Sequence, residues 1–288
     1  MEEMIQRTLH KIQDHSAIKE VKQVSGGDIN RSFYVETINH QYFMKGNEQV
    51  PSHFFRAEAQ GLQLIKDTNT IKVPSVYHYD EPENGEEAMI AMDWINPGRK
   101  DVSELLGQNL AQMHQQTAQK YGYGSPTFVG TLDQPNAWTS SWVDYYRTYR
   151  LKKQMDYAKS LNRMPKIRQE RLEKLLDRLE EWVPAHPEAS LLHGDLWGGN
   201  WRTGEDDEPY LIDPSVLYGD HAFEIAFTEL FGGFPNRFYE QYKEQFPLSD
   251  HYEDIKSLYQ LFYLLVHLNM FGESYGSSVD SILKRYVG

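Results

Sequence analysis

The 288-residue chain contains no cysteine. Disulfides, thiolate catalysis and cysteine-ligated zinc are therefore excluded. Positive charge is scarce as well: 29 Lys and Arg stand against 42 Asp and Glu, a formal net charge of −13. A nucleic-acid binder needs a basic face to displace counterions, so this balance argues against one. Apolar runs are short. The longest, LFYLLVHLNMF (261–271), falls below the length of a bilayer span, contains His267 and Asn269, and reads as a buried core helix. The N-terminal MEEMIQRTLHKIQDH is polar and acidic, without the apolar core of a secretory signal. No repeat or low-complexity segment is evident. The expectation is a cytoplasmic protein with neither a membrane nor a nucleic acid as partner; its oligomeric state stays open.

What is present is ordinary globular material, 40% apolar and 25% charged, in a length that suits one large domain or two modest ones. Residues 2–14 have Ile5, Leu9 and Ile12 near helical spacing. The segment 18–47 reads as a β-meander with turns at Gly26-Gly27-Asp28 and Asn39-His40. A helix is expected over 52–67, with Phe55, Ala59, Leu62 and Ile65 on one face. Short strands follow after Pro74 and over 86–95, the second closed by Asn96-Pro97-Gly98. From there the pattern turns helical, over 101–117, 140–160 and 166–183. Asp101 and Glu104 stand in capping-box spacing at the first of these, and a loop rich in Gly, Pro, Tyr and Trp covers 121–139. After LLHGDLWGGNW (191–201) come a short strand, PYLID (209–213), and mostly helix. The expected fold is α+β and bilobal, like a protein kinase. Residues 1–95 form a small antiparallel sheet with one helix, a nucleotide-binding lobe. Residues 96–288 form a larger, mostly helical lobe for catalysis and substrate.

The candidate chemistry centres on 191–201. An Asp and an Asn five positions apart, separated by glycines, can be a simple turn, because Gly198 and Gly199 permit positive φ. The same spacing serves a phosphotransferase, where the acid takes the acceptor's proton and the amide holds a magnesium ion. Asp195 and Asn200 are the residues concerned. Phosphoryl transfer needs positioned cations more than covalent chemistry. Lys45 ends an apolar strand and Glu58 lies thirteen positions on, so the two can pair and aim the ammonium at phosphates; two solvated surface charges are the alternative. Gly26, Gly27, Asp28 and Asn30 could cover phosphates with backbone N–H groups or form a plain hairpin turn. Asp213, at the end of an apolar strand, is a second metal ligand or a turn former. His193 and Glu224 are candidates for supporting the Asp195 loop, although Glu224 also suits the first turn of a helix. Trp138, Trp142, Tyr145, Tyr146 and Tyr149 cluster around the helix expected over 140–160, as core or as a ligand platform. Trp197 is harder to place in a core. Asp213 is followed by Pro214, and only ten residues separate it from Glu224, too few for a mobile regulatory loop.

The set VSGGDINRSFYVET, FMKGN, FRAEAQGL, LLHGDLWGGN, IDPSVLYGDHAFEIAFTELFGGFP and YQLFYLLVHLNMFG closely resembles the fructosamine kinases, the ketosamine 3-kinases of the aminoglycoside-phosphotransferase-like superfamily. The resemblance covers nearly the whole chain. It implies ATP- and Mg²⁺-dependent phosphorylation of the 3-hydroxyl of ketosamines, free or on glycated proteins, serving deglycation. It implies Lys45 and Glu58 as the phosphate-anchoring pair, Asp195 as base, and Asn200 and Asp213 as metal ligands. Asp93 and Trp94 fall on the hinge that would meet adenine. Trp197, Trp138, Trp142 and Tyr146 match the sugar-facing region. Two positions depart from the pattern. Gly198 stands where many relatives carry Ser, and Glu224 where the wider superfamily often has Asp. The competing readings are another small-molecule kinase of the superfamily, acting on an aminoglycoside, choline or a sugar, and a nucleotide-binding scaffold without transfer activity. The few acids in 138–149 favour a sugar over a polycation.

Overall fold

Alternation along the strands sorts the N-terminal lobe into two faces. The computed structural model describes residues 2–24, 30–83 and 85–288. Gly26, Gly27 and Asp28 lie outside them. Strands β1 (Ile18–Val24), β2 (Arg31–Thr37), β3 (Gln41–Asn47), β4 (Val76–Tyr79) and β5 (Ala88–Asp93) form one antiparallel sheet in the order β1-β2-β3-β5-β4. Successive side chains of a strand point to opposite faces. Met44, Met89 and Ala91 pack with Phe33, Val35 and Tyr42 under Met4, Ile5 and Leu9 of helix α1 (Glu2–Lys11). Ala88, Ile90 and Met92 point the other way, toward helix α2 (Phe54–Asp67). Lys45 pairs in register with Ile90 and so lies on the α2 side.

Asp14 fastens the turn after α1 to the sheet. Its carboxylate accepts hydrogen bonds from Ser16 N (3.0 Å), Ser16 Oγ (2.6 Å), Thr37 Oγ1 (2.7 Å) and the Tyr42 hydroxyl (3.0 Å). Burial alone would raise its pKa, but these donors outweigh it and bring the value from an ordinary 3.8 down to about 2. A depressed carboxylate stabilises the fold above its unfolded pKa, and the contribution fades as pH falls from 3.8 toward 2. Asp14→Asn is therefore expected to lower the urea midpoint at pH 6, with the gap narrowing below pH 3.8 and closing only as pH falls through about 2. A gap that stays constant with pH would show that the Asp14 charge is not its source.

In the C-terminal lobe, α3 (Ser103–His114) begins after Asp101, whose carboxylate accepts from Ser103 N (3.0 Å). Glu104 pairs instead with Arg237 (3.4 Å), so only half of the expected capping box forms. The segment 121–139, read as a loop, contains a hairpin of β6 (Thr127–Val129) and β7 (Leu132–Gln134). The expected helix over 140–160 is α4 (Trp142–Tyr145), a π-helical turn (Tyr146–Lys152) and α5 (Lys153–Ser160). Then come α6 (Lys166–Leu176), β8 (Ser190–Leu192), β9 (Trp201–Thr203), β10 (Pro209–Leu211) and β11 (Leu217–Gly219). The lobe ends with α7 (His221–Thr228), α8 (Asn236–Gln245), α9 (Tyr252–Phe271) and α10 (Gly276–Val287). Strand β8 pairs with β11, and β9 with β10. The link after Asp213 is thus partly a strand, and Asp220 caps α7 by accepting from Ala222 N (2.9 Å). Helix α9 is the expected core helix, with Leu261 to Val266 and Leu268 buried. One apolar core runs through both halves of the chain, joining Phe55, Leu62 and Ile90 to Leu110, Leu192 and Phe223.

Candidate active site

The Asp195 loop is held by its backbone. Gly194, between β8 and Asp195, has φ +82, and a side chain there would collide with the carbonyl oxygen of Ser215. The N–H groups of His193 and Gly194 donate to the Glu224 carboxylate at 3.1 and 2.6 Å. The carbonyl of Gly194 accepts from the Tyr263 hydroxyl (3.0 Å). His114 Nε2 approaches Glu224 to 2.8 Å, and because an ionised carboxylate only accepts, the imidazole N–H donates. Burial opposes the Glu224 charge, yet the hydrogen bond and charge of His114 hold its pKa below the ordinary value. The extra methylene of Glu over Asp lets one side chain reach two amides and a histidine. The His193 ring faces the carbonyl of Ile212 (2.8 Å), tying the loop to the end of β10.

Two acids and an amide converge beyond this clamp. Asn200 Nδ2 donates to the Asp195 carbonyl (2.7 Å) and lies 3.4 Å from its Oδ2. The amide nitrogen is thereby committed, so its oxygen is the atom that can ligate a cation. Asp213 sits in the left-handed region at φ +57, a strained conformation for a side-chain-bearing residue and one that collects at functional sites. Its carboxylate meets the Lys45 ammonium, which also donates to Glu58 at 2.8 Å. Burial disfavours the Lys45 charge, but Asp213 and Glu58 together keep its pKa above the ordinary value. Lys45 is shared, so Glu58 is less fully compensated: burial pushes its pKa up to about 7, with Lys45 opposing and Asp213 adding to the rise. The pKa of Asp195 is raised well above the ordinary value, first by burial and then by the charge of Asp213.

Asn200 and Asp213 suit Mg²⁺, which prefers hard oxygens and takes its remaining ligands from phosphate and water. Among the described residues no cluster of three His, Cys, Asp or Glu stands where it could hold a metal.

Other expected site residues divide. Trp197 is 44% exposed, its indole lying over Gly199, where a side chain would strike the ring. Trp138 is equally exposed, 5.8 Å from the Tyr218 ring. Trp142 and Tyr146 do not face a sugar: both are fully buried, and this corrects the expectation. Trp142 Nε1 donates to the Tyr259 hydroxyl (3.0 Å), and the Tyr146 hydroxyl to the Leu258 carbonyl (2.6 Å). Their spacing is the reason, since 142, 145, 146 and 149 form a helical stripe turned inward. At the hinge, Asp93 N and Trp94 N donate to Ser75 O (3.0 Å) and Gln41 O (3.2 Å). These two amides are thus engaged in the sheet and not turned to an adenine. The Asp93 carboxylate accepts from Ser75 N (2.9 Å) and the Tyr77 hydroxyl (2.5 Å). Asn30 Oδ1 accepts from Asn47 Nδ2 (2.7 Å), joining the ends of β2 and β3.

The expectations omit His114, Tyr263 and the Gly232-Gly233 turn. His114 carried a signal, falling on the Leu106–Leu110 stripe of α3. The turn did not. Gly233 packs on Gly198 so closely that a Cβ on Gly198 would lie 2.9 Å from the Gly233 Cα. Glycine at 198 therefore has a backbone partner in place of a side-chain role.

The family model for fructosamine kinase matches residues 1–288. The chain belongs to the fructosamine kinase family. A "Probable ketoamine kinase" of Enterococcus faecium is 39% identical over 264 residues, covering 91% of this chain and 94% of that protein. The chloroplastic protein-ribulosamine 3-kinase of Oryza sativa subsp. indica is 34% identical over 272 residues, 93% of this chain and 78% of the relative. A crystal structure from Haemophilus somnus, named for fructosamine-3-kinase, superposes with a TM-score of 0.87 at 28% identity, covering 98% and 96% of the two chains. The aminoglycoside phosphotransferase APH(4)-Ia, at 16% identity and a TM-score of 0.64 over 99% of each chain, shares the fold. This fructosamine kinase family member is a phosphotransferase with a hydroxyl group as acceptor, built on the bilobal kinase fold. No helix among its described residues is long and apolar enough to cross a membrane.

Proposed function

We propose that the chain transfers the γ-phosphoryl group of ATP, with Mg²⁺, to the 3-hydroxyl of ketosamines, free or on glycated proteins, and serves deglycation. The observation that supports this reading is the chain of contacts that gathers the candidate groups: Asn200 on the Asp195 loop, and Asp213 on the Lys45–Glu58 pair. The names of the ketoamine and ribulosamine kinase relatives support the acceptor class. Lys45 holds the α- and β-phosphates, and Glu58 keeps its ammonium in place. Mg²⁺ bound by Asn200 and Asp213 would neutralise charge on the phosphate oxygens. Asp195 takes the proton from the acceptor hydroxyl. As the bond from O3 to the γ-phosphorus forms, the bond to the bridging oxygen breaks and ADP leaves. Burial and the charge of Asp213 raise the pKa of Asp195, which makes it a stronger proton acceptor than a free carboxylate. Trp197 and Trp138, both exposed, offer ring faces to the sugar.

A panel of fructosamine, ribulosamine and erythrulosamine substrates, assayed for ADP release and product mass, tests the reading. The expected result is ADP release that depends on a ketosamine, with one phosphate added to the sugar. Turnover of choline or an aminoglycoside, with none of any ketosamine, would replace this acceptor class with another.

A further inference from the structure

The C-terminal lobe grips α2, the helix that carries Glu58, at two points. At Gly61 the helix lies against the residue after Asp213, close enough that a Cβ on Gly61 would sit 3.1 Å from Pro214 Cγ. At the N-terminal end, the β6–β7 hairpin reaches across from the other lobe. Its Phe128 ring lies 4.9 Å from Phe54 and 5.0 Å from His53. Asp133 Oδ1 lies 3.9 Å from His53 Nε2, a buried nitrogen with no hydrogen-bond partner among the described residues. Phe54 and Glu58 are four residues apart, one turn along the same side of α2.

The hairpin has an unusual root. Asn136 donates to Ser125 O (2.9 Å) and Thr127 Oγ1 (3.1 Å) and accepts from the Tyr145 hydroxyl (2.5 Å) and Arg150 Nη2 (3.0 Å). Arg150 is 1% exposed, and among the described residues no carboxylate pairs with it. Its guanidinium lies instead over the rings of Tyr145 (4.9 Å) and Phe262 (5.8 Å). It projects from the π-helical turn 146–152, a local distortion often found at functional sites. A buried cation without a counter-charge is costly, and here its donors fix the base of a strut between lobes.

We propose that the β6–β7 hairpin, rooted on Asn136 and Arg150, positions α2 from the C-terminal lobe and so keeps Glu58 on Lys45. The inference rests on the reading of Lys45 and Glu58 as the phosphate-anchoring pair. Phe128 and Asp133 are positioning residues; neither touches the pair. In this arrangement α2 needs no added phosphate or partner to bring Glu58 into place.

The test compares Phe128→Ala, Phe128→Leu and Asp133→Ala with Glu58→Gln. Phe128→Ala is expected to raise the KM for ATP about tenfold, the scale of a lost aromatic contact, with the ketosamine KM unchanged. Amide exchange should quicken in α2 and stay at the wild-type rate in α9. Phe128→Leu should recover most of the ATP affinity. Asp133→Ala changes a half-exposed side chain, so it supplies the same readout should Phe128→Ala fail to fold; a KM raised about threefold is expected there. Wild-type KM for ATP in Phe128→Ala and Asp133→Ala, beside a raised KM in Glu58→Gln, overturns the inference alone. Wild-type KM in all of them overturns the anchoring role of the pair and the inference with it.

Discussion

Asp195→Asn is expected to lower kcat by about 10²- to 10⁴-fold, the usual contribution of a positioned general base. The substitution keeps the shape of the side chain and removes its ability to take a proton. It leaves the loop in place, because the clamp acts on the backbone: Glu224 holds the amides of His193 and Gly194, and Tyr263 holds the Gly194 carbonyl. ATP affinity should therefore change little, since the Lys45–Glu58 pair is untouched. Steady-state ADP release and a direct ATP titration separate the two effects. A variant that retains most of its kcat would remove Asp195 from the chemistry, and one that loses ATP binding equally would make it part of the nucleotide site.

Treatment with EDTA is expected to abolish turnover, and Mg²⁺ or Mn²⁺ to restore it. The reason is the donor set. Asn200 offers one amide oxygen and Asp213 one carboxylate, too few to hold a metal without help from phosphate. Chelation should then cost activity while leaving the fold intact, because the contacts around these residues close without an ion: Asp213 meets Lys45, and Asn200 bonds the Asp195 loop. Circular dichroism before and after chelation checks the fold, and ADP release checks the activity. Full turnover in a metal-free assay, or restoration by zinc alone, would defeat the assignment of Asn200 and Asp213.

Much of this protein is legible in its sequence because the relevant physics is local. Lys45 closes a strand after Phe43 and Met44, and Glu58 falls thirteen positions on in the next helix, so the pair is visible in the sequence; the unbroken apolar run Ala88 to Met92 leaves its two faces to be sorted by register. The spacing of Phe55, Ala59, Leu62 and Ile65 marks the buried side of α2, and the glycines after Asp195 mark a tight loop. Composition excludes a cysteine site. Other features depend on neighbours distant in the chain. Whether an aromatic on a helix is core or platform is decided by what covers it, and Trp142 and Tyr146 are covered by α7 and α9. Whether Glu224 caps its own helix or reaches elsewhere depends on where β8 ends relative to α7, and it reaches His193, Gly194 and His114. The amides of Asp93 and Trp94 are claimed by Ser75 and Gln41, a pairing that depends on strand register. The hairpin at 127–134 has strands of three residues each, too short for a periodic signal, and it is visible only once Phe128 meets α2. Sequence determined which residues could do chemistry and which faces had to be buried. Tertiary structure alone decided which polar groups were already bonded, because a hydrogen bond depends on position in space and not on order in the chain.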